Sequence, residues 1–271
     1  MTEHHPPIDK VLYLFLRSFM QASSPVSEKI SVLRHALAKP VLAEAPALVT
    51  LGHDLIDQTL GGGLRRGTCH EVYAAAGHET AATGFATGLA ARLAQGKQIL
   101  WIGQEFAWME YGLPSPTGLL ELGLDPSRLI SVAVGQAQDA LRAAGDALTC
   151  SSLGAVIIEI TGSPKVFDLT ASRRLVLACA QNSVPAILLR FGAAPQASAA
   201  ETRWLIKPAP SPAGEDGWGK PVFDVSLIRN RNGRMGQWVF SWSCDDGCFE
   251  NETAAVGAVV SAPANRQAEA A

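Results

Sequence analysis

Charge is scarce in this chain. Only 17% of its 271 residues are Asp, Glu, Lys or Arg, and together they leave a formal net charge of −3. A broad electrostatic grip on nucleic acid is thereby excluded, although local basic strips are not. Cysteine is sparse too. The five thiols (Cys69, Cys150, Cys179, Cys244, Cys248) are odd in number and scattered. Acidic Glu3 and Asp9 stand where a secretory signal would be basic, so reduced cytosolic thiols are expected rather than a disulfide framework. Cys244 and Cys248 form the one close pair, with no second pair or nearby His to complete a tetrahedral metal site. Long apolar runs are missing as well. Val11–Leu16, resuming at Phe19-Met20, falls far short of the ~20 residues needed to span a bilayer. Residues 1–26 read as an extension with two explanations, a small docking helix or an over-extended start with Met20 the true beginning.

What is present is a core. Nearly half of the residues (48%) are apolar, enough for one sizeable α/β domain with tails. Ser27 is placed to cap a helix whose Ile30, Leu33 and Leu37 recur at spacings of three and four. That amphipathic stripe either packs on its own domain or serves a neighbouring subunit. Pro40 and Pro46 mark a linker through residue 47, and the core is expected over 48–245.

From residue 68 strands and helices alternate. Strands are predicted near Cys69-Tyr73, Gln98-Ile102, Leu129-Ala133, Ala155-Ile160 and Ala186-Arg190, the last two apolar enough for the centre of a parallel sheet. Helices are predicted over 83–93, 137–148 and 169–181. After residue 200 the pattern changes to apolar/polar alternation at 202–207, 221–229 and 236–242. That reads as antiparallel strands, with Asn232-Gly233 a hairpin signal. The Ala-rich residues 246–271 are expected to be a disordered tail.

One absence bears directly on chemistry. After the first core strand a nucleotide-binding α/β protein needs a Gly-rich loop ending in Gly-Lys-Thr/Ser, whose backbone N–H groups, ammonium and hydroxyl hold phosphates and Mg²⁺. The segment here runs from Ala74 through Gly77 to Thr83-Gly84-Phe85-Ala86. In this register Phe85 and Ala86 occupy the Lys and Thr positions, so the loop is degenerate. No nucleophile–base pair can be assembled from His53, His70 or His78, with His70 expected to be buried and hydrogen-bonded. No catalytic residue, metal or cofactor is expected.

The order of elements resembles a RecA-like P-loop-type core. The chain as a whole resembles the ImuA family, through Leu60-Gly61-Gly62-Gly63-Leu64-Arg65-Arg66-Gly67, His70-Glu71-Val72-Tyr73, Leu100-Trp101-Ile102-Gly103-Gln104-Glu105, Gly123-Leu124-Asp125-Pro126, Asp168 to Leu175 and Phe223 to Gly233. The resemblance implies a RecA-like accessory protein of a damage-inducible (SOS) mutagenesis cassette. Such a protein works in error-prone translesion synthesis beside ImuB, a Y-family polymerase relative, an error-prone replicative-type polymerase and RecA. Direct DNA binding would be weak or indirect, and self-association is open. It also implies that Glu105 and Glu159 stand where RecA proteins place a water-positioning glutamate and a metal-linked aspartate. With no anchored triphosphate these become relics, Glu159 being paired near its strand end, and ATPase activity is not expected.

The resemblance further aligns Arg229 and Arg231 with a basic pair that crosses the RecA filament interface; the plain alternative is a charged strand edge. Arg173 and Arg174 are either a solvated helix face or a contact to DNA or ImuB. Trp218, in a Gly/Pro-rich loop, is the candidate exposed anchor among six tryptophans. Two further readings stand beside this one: a SulA-like inhibitor of cell division, and an ATPase with Arg66 or Lys97 as substitute cation.

Overall fold

The computed structural model describes residues 48–74, 76–211, 219–231 and 233–251. The N-terminal extension, the helix expected over residues 27–37 and its linker, Trp218, Asn232 and the tail beyond residue 251 lie outside the described residues. Those described begin with β1 (Leu48–Val49), α1 (Asp54–Thr59), β2 (Leu64–Arg65), β3 (Cys69–Ala74) and α2 (Glu79–Ala94). Next come β4 (Gln98–Gln104), α3 (Glu105–Tyr111), α4 (Pro116–Glu121), a 3-10 turn (Pro126–Arg128) and β5 (Leu129–Val134). The remainder is α5 (Ala137–Ala147), β6 (Leu153–Thr161), α6 (Leu169–Asn182), β7 (Ala186–Phe191), β8 (Thr202–Pro208), β9 (Val222–Asn230), β10 (Gly236–Ser243) and β11 (Cys248–Asn251).

Nine strands make one sheet in the order β11-β10-β9-β8-β3-β7-β6-β4-β5. From β8 to β5 every neighbour is parallel. β9, β10 and β11 add on antiparallel at the other side. The class is α/β, a mostly parallel sheet extended by antiparallel C-terminal strands, as the patterning predicts. β1 and β2 form a separate two-stranded ribbon.

Side-chain periodicity explains the layers. Ala82, Phe85, Ala86, Leu89, Ala90, Leu93 and Ala94 recur at three- and four-residue steps on α2 and sink into one face of the sheet. Ala140 and Ala144 of α5, with Leu175 and Cys179 of α6, cover the other. Covered on both faces, β3 and β7 bury every residue and β6 all but its last. Gly88 of α2 faces Trp242, where a Cβ would lie 2.8 Å from the indole ring. Any larger residue would push the helix off the sheet.

Two boundaries differ from those read in the sequence. The core runs to residue 251 rather than 245. β11 carries Phe249, fully buried with ring centroids 4.8 Å from Trp242 and 5.1 Å from Phe240. One aromatic residue inside a polar stretch is enough to add a strand. The helix after β3 begins at Glu79, not Thr83, and that shift changes the reading of the phosphate loop.

Candidate functional site

In open α/β sheets, ligands sit outside the carboxyl ends of the parallel strands. Here that edge is formed by the turn from β3 into α2. Gly77 takes a left-handed φ of 85°, His78 precedes the helix without a side-chain cap, and Glu79 opens it. A helix start attracts anions through its free N–H groups and its dipole. In this first turn the side chains are Glu79, Thr80, Ala81 and Ala82. The one charged side chain of that turn is a carboxylate, with no Lys or Arg beside it in the turn.

Phe85 and Ala86 are not in the loop, which corrects the register read from the sequence. They lie six and seven residues past the start of α2, roughly 9 Å or more along its axis at ~1.5 Å per residue. Both are fully buried. Phe85 packs among Trp204, Phe223, Phe240 and Phe249 at centroid distances of 5.2–6.2 Å. Gly84, mistaken for the last loop glycine, faces the other way. It lines a cavity of about 460 Å³ with Gly77, Thr80 and Thr83 on one side, and Leu122 and Phe223 on the other.

The two acidic positions do not line this cavity. Glu105 is exposed at the first position of α3. Glu159 is buried near the end of β6, on the face covered by α2. Its Oε2 accepts from Trp101 Nε1 at 3.1 Å and from Trp108 Nε1 at 3.4 Å. Burial pushes the Glu159 carboxyl above its ordinary range, and the two indole hydrogen bonds pull it part of the way back. Trp108 reaches across β4 only because residue 103 is glycine: a Cβ there would lie 2.2 Å from Trp108 Nε1. Gln104 Oε1 accepts from the Thr161 N–H at 2.9 Å and ties the ends of β4 and β6 together.

The arginines fall into two groups. Arg229 on β9 donates to the Ser198 carbonyl at 2.8 Å, and Arg231 to that of Ala199 at 3.3 Å. Both fasten the segment between β7 and β8. Arg173 and Arg174 are exposed on α6, and Arg174 borders a groove of about 600 Å³ shared with Arg142 and Gln138 of α5. The substitute cations of the ATPase alternative stand at the wrong end of α2. Arg66 donates to Gln95 Oε1 at 2.6 Å, and Lys97 to the Ser151 carbonyl at 3.2 Å. Both are beside the C-terminal end of a 16-residue helix, ~24 Å from its start.

Sequence reading missed a buried polar cluster on the opposite face. Glu71 and Arg203 pair at 2.7 Å, and Arg203 also donates to Ser198 Oγ at 2.8 Å. Arg190 is fully buried, its guanidinium 4.6 Å from the Phe167 ring centroid and donating to the Gly162 carbonyl at 2.8 Å. Its signal was legible: a single charge in each of two central strands, Glu71 in β3 and Arg190 in the otherwise apolar β7. His70 is buried between Thr202 Oγ1 (2.8 Å) and the Arg65 carbonyl (2.9 Å), as read from sequence. His53, just before α1, is buried with its ring 5.4 Å from that of Phe240. Among the described residues no cluster of His, Cys, Asp and Glu is arranged to hold a metal ion, and no helix is long and apolar enough to cross a membrane.

The site thus belongs to an α/β protein with a cavity at the sheet's carboxyl edge and an acidic, cation-free helix start beside it. No family model matches the chain. It is, however, 34% identical over 210 residues to Protein ImuA of Caulobacter vibrioides, from strain NA1000 / CB15N and equally from strain ATCC 19089 / CIP 103742 / CB 15. The match covers 71% of this chain and 82% of each relative. The chain belongs to the ImuA family.

Proposed function

We propose that this protein is a non-catalytic accessory factor of damage-induced, error-prone translesion DNA synthesis, built on a RecA-like core with a degenerate phosphate loop. It acts in the cytoplasm through contacts with an ImuB-like polymerase relative, and through it with an error-prone replicative-type polymerase, with RecA a further partner. DNA is held weakly or through the partner. Membership of the ImuA family supports the cassette role.

One observation carries the non-catalytic part: α2 opens on Glu79 with no Lys or Arg in its first turn. Phosphoryl transfer depends on positioning and on neutralising charge, and a carboxylate at the helix start opposes both. Glu159, held by two indoles, supports the same reading. The segment after β4 offers contact surface, with Phe106 52% and Met109 82% exposed. Trp218, Arg173 and Arg174 remain candidate contacts.

The test has two arms. Titration of the full chain with a fluorescent Mg–ATP analogue is expected to give no saturable binding through the micromolar range. Micromolar affinity would overturn the non-catalytic reading. Co-expression with the ImuB-like protein of the same cassette is expected to give one complex on gel filtration, and separate elution overturns the partner assignment.

A further inference from the structure

We propose that β5 is a self-association strand: two copies of this chain pair their β5 edges antiparallel about a two-fold axis at Val132, joining the two nine-stranded sheets into one. β5 lies at the sheet edge farthest from β11.

β5 is last in the sheet order and pairs only with β4. Its outer side therefore presents backbone N–H and C=O groups that no described strand takes up. An edge of this kind is ordinarily blunted by shortness, by lysine, by proline or by a bulge. The opposite edge follows the rule: β11 has four residues and carries Glu250, ion-paired with Lys220. β5 does not. It runs six residues as Leu-Ile-Ser-Val-Ala-Val, without charge, proline or glycine, and Ile130 is 47% exposed on it.

The pattern of side chains selects a second copy as the occupant. Successive residues alternate between faces. Val132 and Val134 pack toward the core on the α5 side, so Ile130 shares that face, while Ser131 and Ala133 lie on the other. An axis at Val132 sets Val132 against its own counterpart and Ile130 against Val134, pairs of β-branched side chains that favour cross-strand packing. On the reverse face Ser131 meets Ala133, both small. At the ends of the seam Arg128, just before β5 and ion-paired with Asp125, comes opposite Gln136 of the other copy, beside the first turn of that copy's α5, where Asp139 is ion-paired with Arg142, so the flanks are charge-balanced. The interface is isologous and closes on itself.

Sedimentation velocity of the full chain at high micromolar concentration is expected to show a dimer, and a monomer there overturns the proposal. The double variant Ser131→Lys, Ala133→Lys sets lysine opposite lysine across the seam. It is expected to weaken dimerisation by about tenfold or more. The double variant Ser131→Glu, Ala133→Glu does the same alone, and mixing the two restores a heterodimer. Undiminished dimerisation of either variant, or no restoration on mixing, overturns the register. Circular dichroism establishes that both variants fold. Should they not, Ser131→Cys mixed with Ala133→Cys is oxidised and digested for mass spectrometry. A disulfide between positions 131 and 133 supports the seam, and its absence refutes it.

Discussion

Lysine at position 85 is the change that the sequence register would treat as restoring a phosphate loop. The structure makes it a core lesion. The Phe85 ring is fully buried, 5.2 Å from Phe249 and 5.6 Å from Trp204. Truncating a buried Phe to Ala costs about 3–5 kcal/mol, so Phe85→Ala should lose that much. Phe85→Lys loses the same packing and also brings an amine into an apolar layer, where it must be neutralised or dragged toward water. Its loss should be at least as large. For a domain of this size each kcal/mol moves the melting temperature by about 2–4 °C, so both variants should melt roughly 6–20 °C lower. Thermal unfolding followed by circular dichroism, with urea unfolding followed by tryptophan fluorescence, measures the change. Glu79→Lys, at a partly exposed helix start, is the control and should cost no more than about 1 kcal/mol. A Phe85→Lys protein that melts like the parent and takes up Mg–ATP would falsify the placement of residue 85.

Gly103→Ala should cost about 1–3 kcal/mol by overpacking, with a change in Trp108 fluorescence as the indole leaves Glu159; unchanged emission and stability would rule out the close approach. Glu159→Gln should leave stability at neutral pH equal or higher. The folded-state carboxyl titrates above its ordinary 4.5, so its contribution is full below that value and is lost as pH rises through the folded pKa. A marked loss for Gln at pH 7 contradicts this. His53 and His70 have the opposite sign. Burial lowers both from 6.5, so their contribution is full above 6.5 and is lost as pH falls through the folded values. The melting temperature should therefore drop on acidification below 6.5, less steeply in His53→Gln, and an equal slope in that variant would refute the assignment.

Much of the fold was legible because burial writes itself into composition. β6 and β7 are covered on both faces and are almost wholly apolar, with one charge each (Glu159, Arg190), whereas β9 and β10 alternate. The start of α2 was not legible. The run 74–84 is rich in Ala, Thr and Gly, His78 makes no capping hydrogen bond, and Gly84 imitates a loop glycine. The candidate site suffered from that single displacement of the helix start. The Trp108–Glu159 contact joins residues 51 apart, and Glu71–Arg203 residues 132 apart. Their types were visible in sequence, but their meeting is a product of strand order.

Arg229 and Arg231 act as rivets on the backbone at Ser198 and Ala199, directly ahead of β8. Cutting either to alanine unpins that stretch, so a mutagenesis defect in cells would report a loosened chassis rather than a lost handle. Arg173 and Arg174 stand proud of α6, so the same scan there tests the proposed docking without loosening that stretch.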